Sequence, residues 1–432
     1  MAESDFEAIV VGAGCAGSVA AYELAKAGKS VLVVERGNFA GAKNMTGGRI
    51  YAHSLKEVFP DFEENAPLER KVVHEKISMI GSESCFTVDF SSRELEKEGQ
   101  DSYTVLRASF DPWLAEQAEN AGAEFIYGIA VESLLKDENG KVYGVRAGED
   151  EITAEVVLLC DGVNSLLTKE AVGYERPKTS QMAVGIKQVI QLDEETVTNR
   201  CLANGSGEGA AWLFAGDATH GRAGGGFMYA NKDSISIGLV ATLSDLEKAD
   251  TPVYQMFEDF KKHPSVAPII RGGKVVEHSG HMVPEGGLGM MPELTADGVL
   301  LAGESAMMCV NLGYVVRGMD YAVAAGMHAG RSAASALDFG DTSKSGLSCY
   351  VSALENSFVL KDLRQFRNFP AFMEHTSRLY NEYPKMLGDI FNVLFVVDGE
   401  PVKPLKKSLL PIIKKVGMMN LLKDVRGGMK AL

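Results

Sequence analysis

Hydrophobic runs and their polar breaks divide the first 160 residues into a repeating plan. Asp5 to Val11 becomes apolar and predicts a strand. A glycine-rich break, Gly12-Ala13-Gly14-Cys15-Ala16-Gly17, is followed by helical spacing from Ser18 to Ala27. A second strand, Ser30 to Val34, closes on Glu35. Residues 36 to 53 hold Gly37, Gly41, Gly47 and Gly48 and read as a long irregular loop. Phe110 to Ala121 has helical spacing through Trp113, Leu114, Ala118 and Ala121. Strands are predicted at Glu124 to Tyr127 and Val131 to Leu135. The turn Asp137-Glu138-Asn139-Gly140-Lys141, with its Asn-Gly pair, then leads into a return strand, Val142 to Arg146. Glu151 to Thr153 leads into a buried strand, Glu155 to Leu159, that ends at Cys160-Asp161-Gly162.

The pattern then changes. Ala183 to Gln191, Ala211 to Phe214, Gly226 to Ala230 and Ser234 to Leu239 predict an antiparallel sheet. Thr251 to His263 predicts a helix with Pro252 in its first turn and Pro264 stopping it. Val299 to Leu301 returns to a buried parallel strand before Gly303-Glu304-Ser305. Arg317 to Ala336 predicts a long helix whose small residues, Ala322, Ala325, Gly326, Ala329 and Gly330, are expected to pack on the first sheet. Residues 345 to 400 read as helical. The fold class expected is α/β with an α+β second domain. Residues 1–75, 104–175 and 290–345 are expected to form the discontinuous nucleotide-binding domain, 76–103 and 176–289 a β-rich domain for the substrate, and 346–432 a helical C-terminal region with a basic amphipathic tail.

The opening βαβ segment is a dinucleotide fingerprint. Gly12 allows a tight turn, Gly14 lets the backbone approach a pyrophosphate, and Gly17 lets helix and strand pack closely. The helix N-terminus supplies N–H groups and a positive dipole end for phosphate. Glu35, eighteen residues beyond Gly17, stands where a carboxylate accepts hydrogen bonds from ribose hydroxyls. The fingerprint leaves open which dinucleotide is bound.

The 432 residues are 46% apolar and 23% charged, as in a globular protein of two to three domains. The acidic start, Met1-Ala2-Glu3-Ser4-Asp5, does not match a secretory leader, and the apolar run Ile390 to Val397 is too short to span a bilayer. Cys15, Cys85, Cys160, Cys201, Cys309 and Cys349 form no C-x-x-C pair, so zinc and four-cysteine iron–sulfur sites are not expected. A net charge of −15 argues against nucleic acid. The charge is uneven. From Lys403 to Lys430 there are eight basic residues and one acid, Asp424, so this tail is +7 and the remainder −22.

Five segments carry a family resemblance: Lys43-Asn44-Met45-Thr46-Gly47-Gly48, Leu106-Arg107-Ala108-Ser109-Phe110-Asp111, Asn231 to Leu239, Val283-Pro284-Glu285-Gly286-Gly287 and Val316-Arg317-Gly318-Met319-Asp320. Over nearly its whole length the chain resembles the electron-transfer-flavoprotein:quinone oxidoreductases, most closely their FixC branch. It is similar, more distantly, to the geranylgeranyl reductases. The resemblance implies a Rossmann-type GR2 FAD-binding domain, discontinuous, with an inserted antiparallel β-sheet domain. It also implies FAD held by three separated elements. The first is Gly12, Gly14, Ala16, Gly17, Glu35 and Arg36, with Lys43, Gly47 and Gly48 on the loop beyond. The second is Arg107, backbone near Val131 for the adenine, and Asp161-Gly162. The third is Gly303-Glu304, where the family carries Gly-Asp and the acid bonds the ribityl chain; Glu304 is one methylene longer. Oriented donors leading into the helix near Arg317, with Asn311 and Gly313 in close approach, would favour the reduced, anionic flavin.

No catalytic acid, base or nucleophile is expected, because the flavin supplies the redox chemistry. The eight histidines are scattered; His281 is the one candidate to face the flavin, and a structural role suits it too. The resemblance implies electrons arriving from electron-transfer flavoprotein subunits and leaving for a membrane quinone. The cysteine-bound cluster domain of the longer relatives is missing after Cys349, so the FixC resemblance implies a separate small ferredoxin-like (FixX-type) subunit. Leu409, Leu410, Ile412, Ile413, Val416, Met418, Met419, Leu421 and Leu422 alternate with the tail's basic residues. This predicts a monotopic membrane-surface segment on a cytoplasmic protein, with docking on an acidic partner or on the chain's own acidic body as the alternative. Pro411 and Gly417 argue against one straight helix. Two other functions fit less of the pattern: a stand-alone FAD-dependent reductase of carbon–carbon double bonds in a polyprenyl lipid, and a silent flavoprotein scaffold.

Overall fold

The computed structural model describes residues 4–43, 48–401 and 403–432. The chain divides into two compact units. Met1–Glu69, Lys97–Lys178 and Met282–Gln365 make the first, and Arg70–Glu96, Thr179–His281 and Phe366–Leu432 the second.

In the first unit the opening pattern forms β1 (Phe6–Val11), α1 (Cys15–Lys26) and β2 (Val31–Glu35). It continues with α2 (Ala52–Val58), α3 (Arg107–Ala121), β3 (Glu124–Tyr127), β4 (Asp150–Leu159), β5 (Val299–Leu301), α4 (Met319–Asp338) and α5 (Phe358–Gln365). The parallel order is β5-β4-β1-β2-β3, with Leu301 beside Leu159, Val11 beside Leu159, and Ala8 beside Val31. Parallel strands are covered on both faces, which explains their unbroken apolar runs. β4 serves two ladders. Asp150–Thr153 pairs antiparallel with the strand Val142–Ala147, and Val156–Leu159 pairs with β1. The lead-in and the buried strand expected from the sequence are thus one element.

Three features of this unit differ from the sequence expectation. α1 begins at Cys15, three residues early, because Gly14 already occupies the N-cap position. The stretch after the glycine loop is regular: Arg49–Tyr51 pairs with Ser102–Val105, and α2 follows at once, burying Ala52, Leu55 and Val58. Its apolar spacing is masked by the neighbouring glycines. α4 starts at Met319, because Val316–Arg317 is held extended against Val310–Asn311. Its small residues pack on α1 rather than on the sheet. β-Carbons on Gly326 and Gly330 would lie 2.2 Å and 2.5 Å from the carbonyl oxygens of Ala16 and Ala20, so the two backbones touch. The two helices run in the same direction, because Gly326 meets Ala16 and Gly330 meets Ala20.

The second unit is built on a sheet in the order Lys274–Pro284, Met182–Gln191, Ser234–Thr242, Gly224–Ala230, Glu208–Gly216, Leu68–Ile80, Cys85–Ser91. Pairing is antiparallel through Met182–Gln191, Ser234–Thr242, Gly224–Ala230 and Glu208–Gly216, while the last of these pairs in parallel with Leu68–Ile80. One face packs on helix Val253–Lys262 through Met256, Phe257 and Phe260, against Ile186, Ile190, Phe214, Ile237 and Leu239. Pro252 caps that helix. The chain ends in helices Glu382–Phe395, Leu405–Val416 and Met418–Ala431. Gly417, at φ +90°, makes the break between the last two, and Pro411 is carried inside the first of them. Phe86, Phe391 and Phe395 form a stacked ladder, with ring centroids 4.8 Å and 5.8 Å apart.

Candidate functional site: a dinucleotide cradle

The cradle is assembled where β1, β2, β4 and β5 end. Gly12, at φ +97°, passes so close to β4 that a β-carbon would lie 2.5 Å from the Cys160 carbonyl oxygen. Gly17 faces Gly12 itself, where a β-carbon would be 1.8 Å from the carbonyl oxygen. Ala16 is pressed between Gly303 and Gly326. The turn is therefore clamped by backbone, and α1's first turn is presented rigidly.

Glu35 ends β2 and is buried. Its Oε2 accepts from the Ala13 N–H at 2.8 Å and its Oε1 from the Gly37 N–H at 2.6 Å. A carboxylate offers about four acceptor positions, so two remain for hydroxyl donors. Arg36 is exposed beside it. The Ile129 N–H donates to the Glu35 carbonyl at 3.2 Å, which brings the half-buried Val131, first residue of the strand Val131–Lys136, to the same end.

Asp161 follows β4. Its Oδ1 is buried without a hydrogen-bond partner among the described residues. Burial raises its pKa to about 6, against the opposing effect of Ser165 and Arg36. Gly162 continues the turn at φ +79°. An orphaned buried oxygen beside a glycine with nothing within 4 Å of its β-carbon position fits a polar, extended ligand.

Arg107 opens α3 and is gripped by Asp111 one turn on: Nε to Oδ1 is 2.5 Å and Nη2 to Oδ2 is 2.6 Å. The Asp111 carboxylate is fully buried, and the Arg107 side chain is 10% exposed. The pair is therefore internal. It lies close enough to Glu304 for Arg107 to oppose the upward shift that burial imposes on that carboxyl. Glu304 sits in the turn Gly303–Ala306, and Ser305 Oγ ties that turn to the Leu159 carbonyl at 2.7 Å. Lys43 is exposed in a turn, and Gly48 is buried with its carbonyl accepting from the Val105 N–H. Gly47 lies outside the described residues. The Gly313 N–H is taken by Asn311 Oδ1 at 2.9 Å, so this donor is engaged within its own exposed turn. His281 lies on the strand Lys274–Pro284 of the second unit.

Burial raises the thiol pKa of Cys15 to about 12 and that of Cys309 well above its ordinary value, which favours the neutral thiol in both. Among the described residues no group of three or more His, Cys, Asp or Glu is placed to hold a metal. No described helix is long and apolar enough to cross a membrane.

The sequence reading missed three features: the Asp111 grip on Arg107, the contact between α1 and α4, and a polar cluster around Arg317. The i,i+4 spacing of Arg107 and Asp111 and the i,i+3 spacing of Arg317 and Asp320 were visible signals for two of them.

This cradle and its sheet define an FAD-dependent oxidoreductase, and an FAD-binding domain model matches residues 5–220. The chain belongs to the ETF-QO/FixC family. That family's C-terminal domain model matches residues 369–432, and its ubiquinone-binding model matches 182–283. The chain is 50% identical to the "Probable electron transfer flavoprotein-quinone oxidoreductase YdiS" of Escherichia coli and 48% identical to "Protein FixC" of the same organism. Each match covers the full length of both chains. In fold it is similar to a geranylgeranyl bacteriochlorophyll reductase-like protein of Thermoplasma acidophilum (17% identity, TM-score 0.70, 98% and 99% of the two chains). It is also similar to the myxobacterial chondrochloren halogenase CndH (16%, TM-score 0.63, 96% and 97%).

Proposed function

We propose that this protein accepts electrons from an electron-transfer flavoprotein and passes them to a membrane quinone, with a separate ferredoxin-like subunit as relay. The observation that carries this reading is the ubiquinone-binding model over residues 182–283, in a chain half identical over its full length to a relative named for that exchange. When bound, FAD supplies acceptance of an electron pair and its release one electron at a time.

The chain's own part is to bind and orient. Gly12, Gly14, Ala16 and Gly17 bring α1's first turn to the pyrophosphate. Glu35 accepts from the ribose hydroxyls through its remaining lone pairs, with Arg36 alongside and the backbone at Val131 against the adenine. Asp161-Gly162 and Glu304, after Gly303, meet the hydroxylated chain between phosphate and ring. Arg107, fixed by Asp111, holds positive charge near Glu304. Lys43, Gly48, Asn311 and Gly313 border the ring itself, and Gly47, outside the described residues, is assigned to the same loop by its sequence alone. Attachment to the anionic inner face of the membrane is assigned to the basic C-terminal helices together with the exposed Phe395, Val396 and Val397.

The test uses purified FAD-loaded protein with a relative's electron-transfer flavoprotein and a short-chain quinone, with and without a ferredoxin-like subunit. Expected are a plain flavin spectrum, bleaching by reduced flavoprotein, and quinone reduction that rises when the subunit is added. Reduction of a polyprenyl lipid by the isolated chain with dithionite as donor would replace this reading with a self-sufficient reductase.

A further inference from the structure

A polar cluster of the first unit surrounds Arg317. Arg317 precedes α4, and its guanidinium is held by two carboxylates. Nε is 2.8 Å from Asp320 Oδ2, and Nη1 is 2.8 Å from Asp362 Oδ2 on α5. The Tyr321 hydroxyl donates to the same Asp362 oxygen at 3.0 Å. His53 on α2 lies 3.2 Å from Asp320 Oδ2 and stands edge-on to Phe358. The rings of Tyr321 and Phe358 flank the guanidinium at 4.9 Å and 5.0 Å. Asp320 is 1% exposed, and its Oδ1 has no hydrogen-bond partner among the described residues.

Two carboxylates against one guanidinium leave the cluster with one surplus negative charge, and Asp320 brings a buried carboxylate into the first turn of α4. That helix runs in the same direction as α1. Its first residue is seven positions before Gly326, which meets Ala16, so its N-terminus extends about 10 Å beyond that of α1. A β-carbon on Gly318 would be 4.0 Å from Glu304 Oε1. The N-terminal end of α4 therefore points past the phosphate turn, along the line an extended dinucleotide must follow. A helix N-terminus carries about half a positive charge, which favours an anion in front of it. A buried carboxylate in its first turn opposes that effect.

We propose that the Arg317–Asp320–Asp362 cluster sets the reduction potential of the flavin, with Asp320 lowering it by offsetting the α4 dipole. This rests on the reading above that the ring is bordered by the turn leading into α4. Reduction adds two electrons and one proton and leaves the ring one negative charge richer. A fixed negative charge behind the helix end therefore disfavours the reduced form, and the electrons pass on to an acceptor more readily. Asp320 is a positioning charge: its Oδ2 is held by Arg317 and His53, and it acts on the ring through the α4 dipole.

The experiment is dye-equilibrated reduction of the FAD-loaded protein and its variants, with thermal melting in parallel. Asp320→Asn removes the charge and keeps the shape. Through a medium of effective dielectric about 20 it is expected to raise the reduced-to-oxidised ratio about tenfold at a fixed ambient potential, or about 30 mV for the two-electron couple. Asp362→Asn, farther from the helix end, shifts it less in the same direction. Tyr321→Phe removes a hydrogen bond without changing charge; it lowers the melting temperature and leaves the potential in place. A potential unmoved by Asp320→Asn, or moved equally by Tyr321→Phe, overturns the proposal. Gly318→Ala separates this from the seating of the ring. Its β-carbon meets nothing closer than 3.7 Å in the protein, so the fold accepts it. A changed flavin absorption band places the ring at that turn. An unchanged band with unchanged potential overturns the seating, and the proposal with it.

Discussion

Gly326 and Ala16 meet so closely that a β-carbon on Gly326 would lie 2.2 Å from the Ala16 carbonyl oxygen. Ala16 belongs to the clamped turn of the cradle, so this contact couples the packing of α4 to the shape of the cradle. Gly326→Ala forces the helices apart at a point where backbone, not a flexible side chain, is the obstacle. The expected cost is about 1–3 kcal/mol, read as a fall in thermal midpoint, together with a lower flavin-to-protein absorbance ratio. Gly162→Ala is the contrast. Nothing lies within 4 Å of the added carbon, and only the left-handed backbone at φ +79° opposes it, at about 1 kcal/mol.

Asp161 gives a pH signature. Burial raises its folded pKa to about 6 from an ordinary value of 3.8. Folding is therefore favoured by the protonated carboxyl. That contribution is complete below about pH 4 and is lost as pH rises towards 6. At pH 7.5 the ionised side chain costs the apoprotein on the order of 1–3 kcal/mol. Asp161→Asn is expected to stabilise apoprotein at pH 7.5 and to be neutral at pH 4, as read from denaturant midpoints. The same variant is expected to hold FAD less tightly, because the amide presents one acceptor oxygen where the carboxylate presents two.

The parallel sheet was legible because its signals are local and mutually consistent. β1, the glycine turn, α1 and β2 follow one another within thirty residues, and the short unbroken apolar runs suit strands covered on both faces. Glu35 was legible as a strand-end acid, and the structure buries it against the turn it closes. What stayed hidden depends on tertiary pairing. Nothing in the sequence places Leu68–Ile80 parallel to Glu208–Gly216, because that ladder joins segments over a hundred residues apart. The helical spacing of Ala52, Leu55 and Val58 was obscured by the glycines before it. The small face of α4 was recognised, yet its partner was not. A stripe of glycine and alanine states that something approaches closely, and a helix satisfies it as well as a sheet.

Arg107 and Asp111 distinguish breaking a buried pair from replacing one. Asp111→Ala leaves a largely buried guanidinium without its carboxylate, expected to cost about 3–5 kcal/mol. Substituting both residues, Arg107→Met with Asp111→Leu, removes the uncompensated charge. It is expected to recover most of the melting temperature while FAD retention stays low. Recovery of both would assign Arg107 a purely structural place, so the two readouts must be taken on the same samples.

The C-terminal helices carry the last prediction. Asp424, the one acid among the tail's eight basic residues, is 7% exposed. It is clamped by Arg378, with Nε to Oδ2 at 2.6 Å and Nη2 to Oδ1 at 2.7 Å, and by the Tyr383 hydroxyl. The hydrogen bonds from Arg378 hold its pKa below the usual carboxylate value, so this clasp persists at neutral pH and loosens only in acid. Lys403, Lys406, Lys407, Lys414, Lys415, Lys423, Arg426 and Lys430 are all exposed, and so are Met418, Met419, Leu422, Val425 and Met429. With its acid turned inward, the tail shows solvent only positive charge among apolar side chains. At about 1 kcal/mol per basic residue near an anionic leaflet, such a surface is expected to bind an anionic membrane without spanning it. Reversing Lys406, Lys407, Lys414 and Lys415 to Glu is expected to abolish flotation with vesicles containing phosphatidylserine and to leave the melting temperature unchanged. Raising salt to about 0.5 M should weaken the intact protein's binding in the same way, since exposed charges are screened within a few ångströms. Phe395→Ser with Val397→Ser should instead reduce binding at every salt concentration, because the lost term is apolar. Equal flotation of the intact and charge-reversed proteins would return the tail to a docking role on a protein partner.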